Sequence, residues 1–548
     1  MYSRRKFLAL SAGTLAAGLG ATGLAACASG PDSAAGGAAK SGGNLAFATT
    51  GEPDSWDVHV SVSTLSALAL RAVYDSLVNR KQDGTFEPWL AKAWQISADG
   101  LAYTFVLRDD VTFHDGTQFN AQAVKDNLDH VVAPATKSRN AKTLLGPYAG
   151  TDVLDEHTVR IRLSSPYSPL LGGLASPYLG FHSPAVLRAN AAGIAAGGKS
   201  VVSTGPFQFS SLIPGQRAVF TRRTGYLWSP PSQARQGDAY LDQYSVEFIS
   251  DDAARVGALT SGQLDVADQV PATRLAELRT QSAITLTGRD NLGSPFTYSL
   301  NTTKAPFDDK TVRLAFQSAV DTKSITQGLF QDAYTSGSSA LTSSTPGYDP
   351  SVGNTWGYNR DQAVQLLEQA GYAATDGDGY RTRDGQRLSV TLAYAAEYTT
   401  QEQKNYHTAL KDAVKQVGIE LVLRPLDTAG IVQALGSGDY HVGAAAPTGT
   451  DASLLRSLFH STQLPSAGGA NVSRAHDPEI DGWLDQALKA QDTAAQNQLY
   501  SKVQHKVLTE AYILPTYVGK RTYGAQARVK GFGLGSDNIP LLLDVWVS

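Results

Sequence analysis

The sequence predicts an α/β protein built in layers and divided into more than one domain. Strand-like and helix-like stretches alternate, as in Leu388–Ala393 (strand), Gln401–Gln416 (helix) and Glu420–Arg424 (strand), the order expected of α/β layers. The chain of 548 residues is too long for one ordinary core, so two or three domains are expected. A hydrophobic content of 42% with 18% charged residues is that of a well-packed globular chain.

Near its start the chain carries Ser3-Arg4-Arg5-Lys6 and an apolar run from Phe7 that ends in Leu24-Ala25-Ala26-Cys27. A basic start, a short apolar segment and a small-residue cleavage site read as a secretory signal. The run is rich in Gly and Ala, too weakly apolar to stay in a bilayer. The arginine pair resembles a twin-arginine export signal. Leu24–Cys27 resembles the lipobox of bacterial lipoproteins, and Cys27 is the only cysteine. The resemblance implies that the chain is cut before Cys27 and that its thiol carries a diacylglycerol, whose two acyl chains anchor stably where one would be marginal. Residues 28–42 are mostly Ala, Gly and Ser, a flexible leash. The folded part is therefore expected outside the cytoplasmic membrane and tethered to it. Losing residues 1–26 leaves 522 residues and takes the formal charge from −4 to −7, a balance that argues against a nucleic-acid partner. With Cys27 lipidated no thiol remains for a disulfide, and stability must come from burial.

Beyond the leash, Gly43–Thr49 reads as a strand, followed by the turn-rich Glu52–Asp57. Leu65–Leu77 has helical spacing. Asp99-Gly100 marks a hairpin turn, and Tyr103–Arg108 alternates as a strand does. Asn120 is the expected N-cap of a helix running through His130.

Several short motifs stand in order along this stretch: Tyr74-Asp75-Ser76-Leu77, Pro88-Trp89-Leu90-Ala91, Asp99-Gly100 with Tyr103–Arg108, and Phe113-His114-Asp115-Gly116. Each alone is weak. Together they resemble the solute-binding proteins of oligopeptide and dipeptide ABC importers, the family-5 extracellular binding proteins. The likeness continues through Ser203-Thr204-Gly205-Pro206-Phe207, Arg222–Trp228 (with Leu227 inserted between the aromatics), Gly262–Asp265, Leu300–Thr302, Pro306–Asp309, Ala363–Tyr372, Asp477–Asp481 and Ile513–Tyr517. It implies a periplasmic-binding-protein-like two-lobe fold, type II and cluster C-like, with an extra α/β subdomain on the first lobe. The implied first lobe is discontinuous, over 43–72, 203–296 and 501–548. The subdomain covers 73–202 and the second lobe 297–500.

The resemblance also implies the function: capture of a peptide or peptide-like solute between closing lobes, and its delivery by a monomer to an ABC permease, with no cofactor and no reaction. A non-peptide solute (a metal chelate, an opine-like conjugate or an oligosaccharide) is the alternative within this class, and a secreted hydrolase the alternative outside it. In peptide-binding members an aspartate late in the second lobe takes the ligand's α-ammonium. Asp451 is the only acid near that position, in a stretch lacking the family's Gly-Trp and Asp-Pro, and it is equally readable as a cap for the helix carrying Leu454–Phe459. Lys404 and His407 could receive an anionic end, Tyr398 could stack, and Trp56 is the first lobe's candidate contact.

Three further signals are set aside. Gly193–Ser200 fits the phosphate-loop expression letter for letter, but that loop needs a strand before it and a helix after it. Pro184–Ala192 has helical composition and Pro206 follows closely, so a surface loop is expected. Asp376, Asp378 and Asp384 suggest a calcium loop, but Arg381 stands where an EF-hand needs glycine, and paired β-turns are expected. His114 reads as a structural histidine in a turn, and no metal site is expected.

Overall fold

A computed structural model describes residues 39–548. The signal segment, Cys27 and most of the leash lie outside the described residues.

Two mixed β-sheets form two lobes. The first sheet has seven strands, ordered Ile284–Asp290, Lys520–Gln526, Val266–Ala267, Asn44–Thr49, Gln243–Phe248, Arg217–Arg222 and Phe207–Ile213. The second has six, ordered Thr335–Ser336, Ile513–Val518, Phe296–Leu300, Val442–Ala445, Ser389–Ala395 and Glu420–Leu426. A separate four-stranded antiparallel sheet, from Ala91–Ile96, Ala102–Leu107, Thr158–Leu163 and Tyr148–Asp155, lies within the stretch expected to be the extra subdomain.

The chain passes between the lobes twice, and the two passes touch. Strand Ile284–Asp290 pairs with Lys520–Gln526 on one side, and Phe296–Leu300 pairs with Ile513–Val518 on the other. At the crossing, the Asn291 N–H donates to the Gly519 carbonyl at 2.8 Å. Short segments at element ends, such as these two, are where a hinge absorbs backbone rotation. The expected boundary at 501 is corrected here. Helix Thr493–Thr509 and strand Ile513–Val518 belong with the second lobe, where Tyr500, Val503 and Val507 share a core with Leu455, Ile480 and Leu484. The first lobe resumes at Lys520. An apolar helix face shows that it is buried, not which lobe buries it.

The scattered sequence motifs meet in one place. Gly205 N–H donates to the Val73 carbonyl at 2.9 Å, so close that a Cβ on Gly205 would lie 2.5 Å from Val73 backbone atoms. Glycine is required there for close backbone approach. The His114 ring donates through Nε2 to the Gly205 carbonyl at 3.0 Å and accepts from Ser203 N–H at Nδ1. Burial pushes that imidazole down to about 4, which fits a neutral structural histidine. Asp75 accepts from Trp228 Nε1–H at 2.9 Å and from the Tyr226 hydroxyl at 3.2 Å. The inserted Leu227 turns outward between them, 68% exposed, which lets both rings stay inside.

Gly193–Ser200 lies in short 3-10 turns after helix Pro184–Asn190, with no strand before it. Asp376 and Asp378 sit in hairpin turns, where both pair with Arg387.

Candidate ligand cleft

A cavity of about 1280 Å³ opens between the lobes. One wall, from the first lobe and its subdomain, carries Arg71, Arg80, Tyr178, Arg521 and Asp537, and the second-lobe wall carries Thr448–Asp451, Ser453 and Leu454. Asn291, at the crossing, lines it as well.

Arg71 follows helix Thr64–Leu70 as its C-cap. It is 8% exposed, and its guanidinium lies over the Trp89 ring at 4.6 Å. Among the described residues its side chain makes one hydrogen bond, from Nη1–H to Ser76 Oγ at 3.0 Å, and no salt bridge. A guanidinium carries five donors, so most of this group's capacity is open. Burial lowers its pKa, but an arginine still keeps its charge. The cleft thus holds a desolvated cation whose nearest carboxylates, Asp537 and Asp75, act on it through space without direct contact, and whose free donors suit a carboxylate.

Asp451 lies opposite, in the loop after strand Val442–Ala445. Its Oδ1 accepts from Ser453 N–H at 2.9 Å, and Oδ2 is 3.8 Å from Arg80 Nη1. Arg80 also donates to the Thr450 carbonyl at 2.5 Å, tying the first wall to the second. Asp451 keeps 26% of its side chain exposed. It does not cap the following helix, whose N-cap position is Ser453 with no side-chain bond. Further hydrogen bonds join the subdomain to the second lobe: Ser168 N–H donates to the Leu488 carbonyl, and Gln491 donates to the carbonyls of Ser97 and Ala98.

The other four residues expected at the ligand lie elsewhere. Trp56 is 3% exposed and packs edge-on against Phe209 at 4.9 Å, inside the first-lobe core. Its large apolar surface is better buried than presented to a cleft. His407 is 1% exposed, accepts or donates through Nδ1 with the Tyr298 hydroxyl at 2.8 Å, and is pushed down by burial to about 4. A neutral imidazole cannot hold an anionic group by charge. Tyr398, 71% exposed, and His407 line a separate hollow of about 200 Å³ in the second lobe. Lys404 lines neither space. Helix Gln401–Lys415 therefore turns its start away from the large cavity. Arg71 is the residue that sequence reasoning missed. The available signal was an arginine in the otherwise apolar run Ala67–Val73.

No helix among the described residues is long and apolar enough to cross a membrane. The profile of the bacterial extracellular solute-binding proteins, family 5, matches residues 85–464. Glutathione-binding protein GsiB from Escherichia coli O1:K1 / APEC is 28% identical over 489 residues, covering 88% of this chain and 90% of that protein. The structure of AgaA from A. tumefaciens R10, in complex with agropinic acid, is 26% identical with a TM-score of 0.69 and covers 92% of this chain and 99% of its own. NikA from Brucella suis, in complex with Fe(III)-EDTA, shares the fold at 24% identity and a TM-score of 0.78, covering 92% of this chain and 100% of its own. With the two lobes, the double crossing and the cleft, these findings identify the chain as a member of the bacterial extracellular solute-binding proteins, family 5.

Proposed function

We propose that this protein captures a small peptide or peptide-like solute for an ABC importer, working as a monomer tethered through a lipidated Cys27. The observation that carries the ligand reading is the pairing of an open buried cation, Arg71, with an acid on the opposite wall, Asp451. A zwitterion such as a peptide has both complements: a carboxylate for Arg71 and an ammonium for the free side of Asp451. The cavity exceeds the about 300–1,000 Å³ of a drug-sized pocket, which leaves room for several residues or for contraction as the lobes close. Closure is favoured only by the extra affinity of the closed form for its ligand, and the cargo leaves unchanged. GsiB, which binds glutathione, supports a short peptide as the first class to try.

The test is a thermal-shift and calorimetry screen of short peptides, glutathione among them. A ligand at a hundredfold excess over Kd stabilises the folded form by about 2.7 kcal/mol and is recovered intact. Arg71→Met then weakens binding by about 1.5–3 kcal/mol, the worth of hydrogen bonds to a charged group, or about 10- to 150-fold. A chain that ignores peptides but binds an opine-like conjugate or a metal chelate refutes the peptide reading. Unchanged affinity in Arg71→Met refutes the anchor.

A further inference from the structure

Away from the cleft, Asp57, His59 and His130 bring one carboxylate oxygen and two ring nitrogens within 4.8 Å of one another. Asp57 and His59 come from the loop after strand Asn44–Thr49, and His130 from the last turn of helix Ala121–Val132. Asp57 and His59 are 2% and 1% exposed, and the His130 side chain is 16% exposed. None of the three lines the cleft.

The surrounding hydrogen bonds fix which atoms are bare. His59 Nε2 lies 2.8 Å from the Gly180 carbonyl, which can only accept, so Nε2 carries the ring hydrogen. His59 Nδ1 is then a lone pair, and it is buried without a partner. Thr136 donates its single hydroxyl hydrogen to the His130 carbonyl at 2.6 Å, so at 3.2 Å from His130 Nδ1 it can only accept. His130 Nδ1 therefore carries that ring's hydrogen, and Nε2, also buried and without a partner, is the second lone pair. Asp57 Oδ1 is occupied by His59 N–H at 2.8 Å and by His182 Nε2 at 3.0 Å. His182 is itself oriented by the Tyr74 hydroxyl at 3.0 Å from its Nδ1. Asp57 Oδ2 remains, 3.7 Å from His130 Nε2.

With both imidazoles neutral, these three acceptors cluster with no donor among them; the competing arrangement is an Nε2–H of His130 turned to Asp57 Oδ2. Leaving buried acceptors unpaired is unfavourable, and a cation satisfies all three at once. We infer that Asp57 Oδ2, His59 Nδ1 and His130 Nε2 form a binding site for one divalent transition-metal ion of the zinc class. Two imidazoles and a carboxylate are a donor set this class accepts. Tetrahedral ligands at about 2.0–2.1 Å from zinc stand about 3.3 Å apart, so the triad contracts modestly, with the half-buried His130 ring moving in. The contacts of Gly180, Thr136 and His182 hold the ligating atoms in their bare form, the role of the outer hydrogen bonds at a metal site. The ion would fasten the first lobe's loop to the subdomain's helix, and cargo binding would not need it.

The experiment uses the full chain without a histidine tag, stripped with EDTA, dialysed, and titrated with zinc chloride by calorimetry and elemental analysis. One zinc per chain is expected, with two imidazole nitrogens and a carboxylate oxygen seen by X-ray absorption. His130→Ala, at the most exposed ligand, is expected to fold with an unchanged circular dichroism spectrum and to lose at least about 100-fold in zinc affinity. Asp451→Asn and Arg71→Met, in the cleft, should bind zinc as the parent does. Substoichiometric zinc in the parent overturns the inference. So does zinc affinity in His130→Ala within threefold of the parent, loss of zinc in Asp451→Asn, or an absorption spectrum without imidazole. The peptide reading of the cleft can fail without affecting any of these results.

Discussion

Replacing Arg521 by methionine tests the wall of the cleft nearest the hinge. Arg521 lies two residues after Gly519 and lines the cavity. Its Nε–H and Nη2–H donate to both oxygens of Asp268, at 2.7 and 2.5 Å. The Asp268 side chain is 0% exposed and that of Arg521 15%. Such a bidentate pair is more strongly held than a surface bridge. Methionine fills much of the arginine stem's space but leaves a carboxylate buried without its counter-charge. Breaking a buried pair in this way costs about 3–5 kcal/mol. At about 2–4 °C per kcal/mol for a lobe-sized folding unit, the first lobe should melt about 6–20 °C lower. Differential scanning calorimetry at neutral pH and fixed salt reads the shift. The double variant Arg521→Met with Asp268→Leu removes the stranded charge and should recover most of the loss, since apolar replacements of buried pairs are often neutral. A melting point for Arg521→Met within about 2 °C of the parent refutes the reasoning, as does a double variant no more stable than the single.

Two further predictions rest on the same lobe. Burial pushes the Asp75 carboxyl up to about 6 in spite of the hydrogen bonds from Trp228 and Tyr226. Its contribution to stability is therefore fully present below about 3.8, the unfolded value, and lost as pH rises through about 6. Asp75→Asn should match the parent near pH 4 and exceed it at pH 7 by on the order of 3 kcal/mol, measured by urea unfolding, and a stability difference that does not change with pH contradicts this. Trp56→Ala should cost about 3–5 kcal/mol as a core truncation while leaving ligand affinity unchanged well below the melting point. A tenfold weaker Kd at full folding would return Trp56 to the cleft.

How much of the site was legible differs residue by residue. Asp451 was found from the family's motif order, and it does line the cavity. Lys404, His407 and Tyr398 were sought on the right lobe, but the facing of a helix start depends on how helix Gln401–Lys415 packs on its sheet. Trp56 illustrates the same limit, since an aromatic in a turn-rich loop reads equally well as a lid or as a plug. Arg71 went unnoticed because nothing local separates a charge aimed into a cavity from one that snorkels to solvent.

The sequence by itself determined the α/β alternation and the family, through motifs that each need a particular backbone or packing partner. Those signals are written in adjacent letters, as in Ser203-Thr204-Gly205-Pro206-Phe207, even where the contact that requires them, Gly205 against Val73, is distant in the chain. Tertiary structure alone decided that strand Ile513–Val518 joins the second lobe, that Arg71 faces Asp451 across a cavity, and that His130 meets Asp57 and His59 from some seventy residues away. Those contacts depend on the relative placement of packed elements, which hydrophobic period constrains only to a buried face.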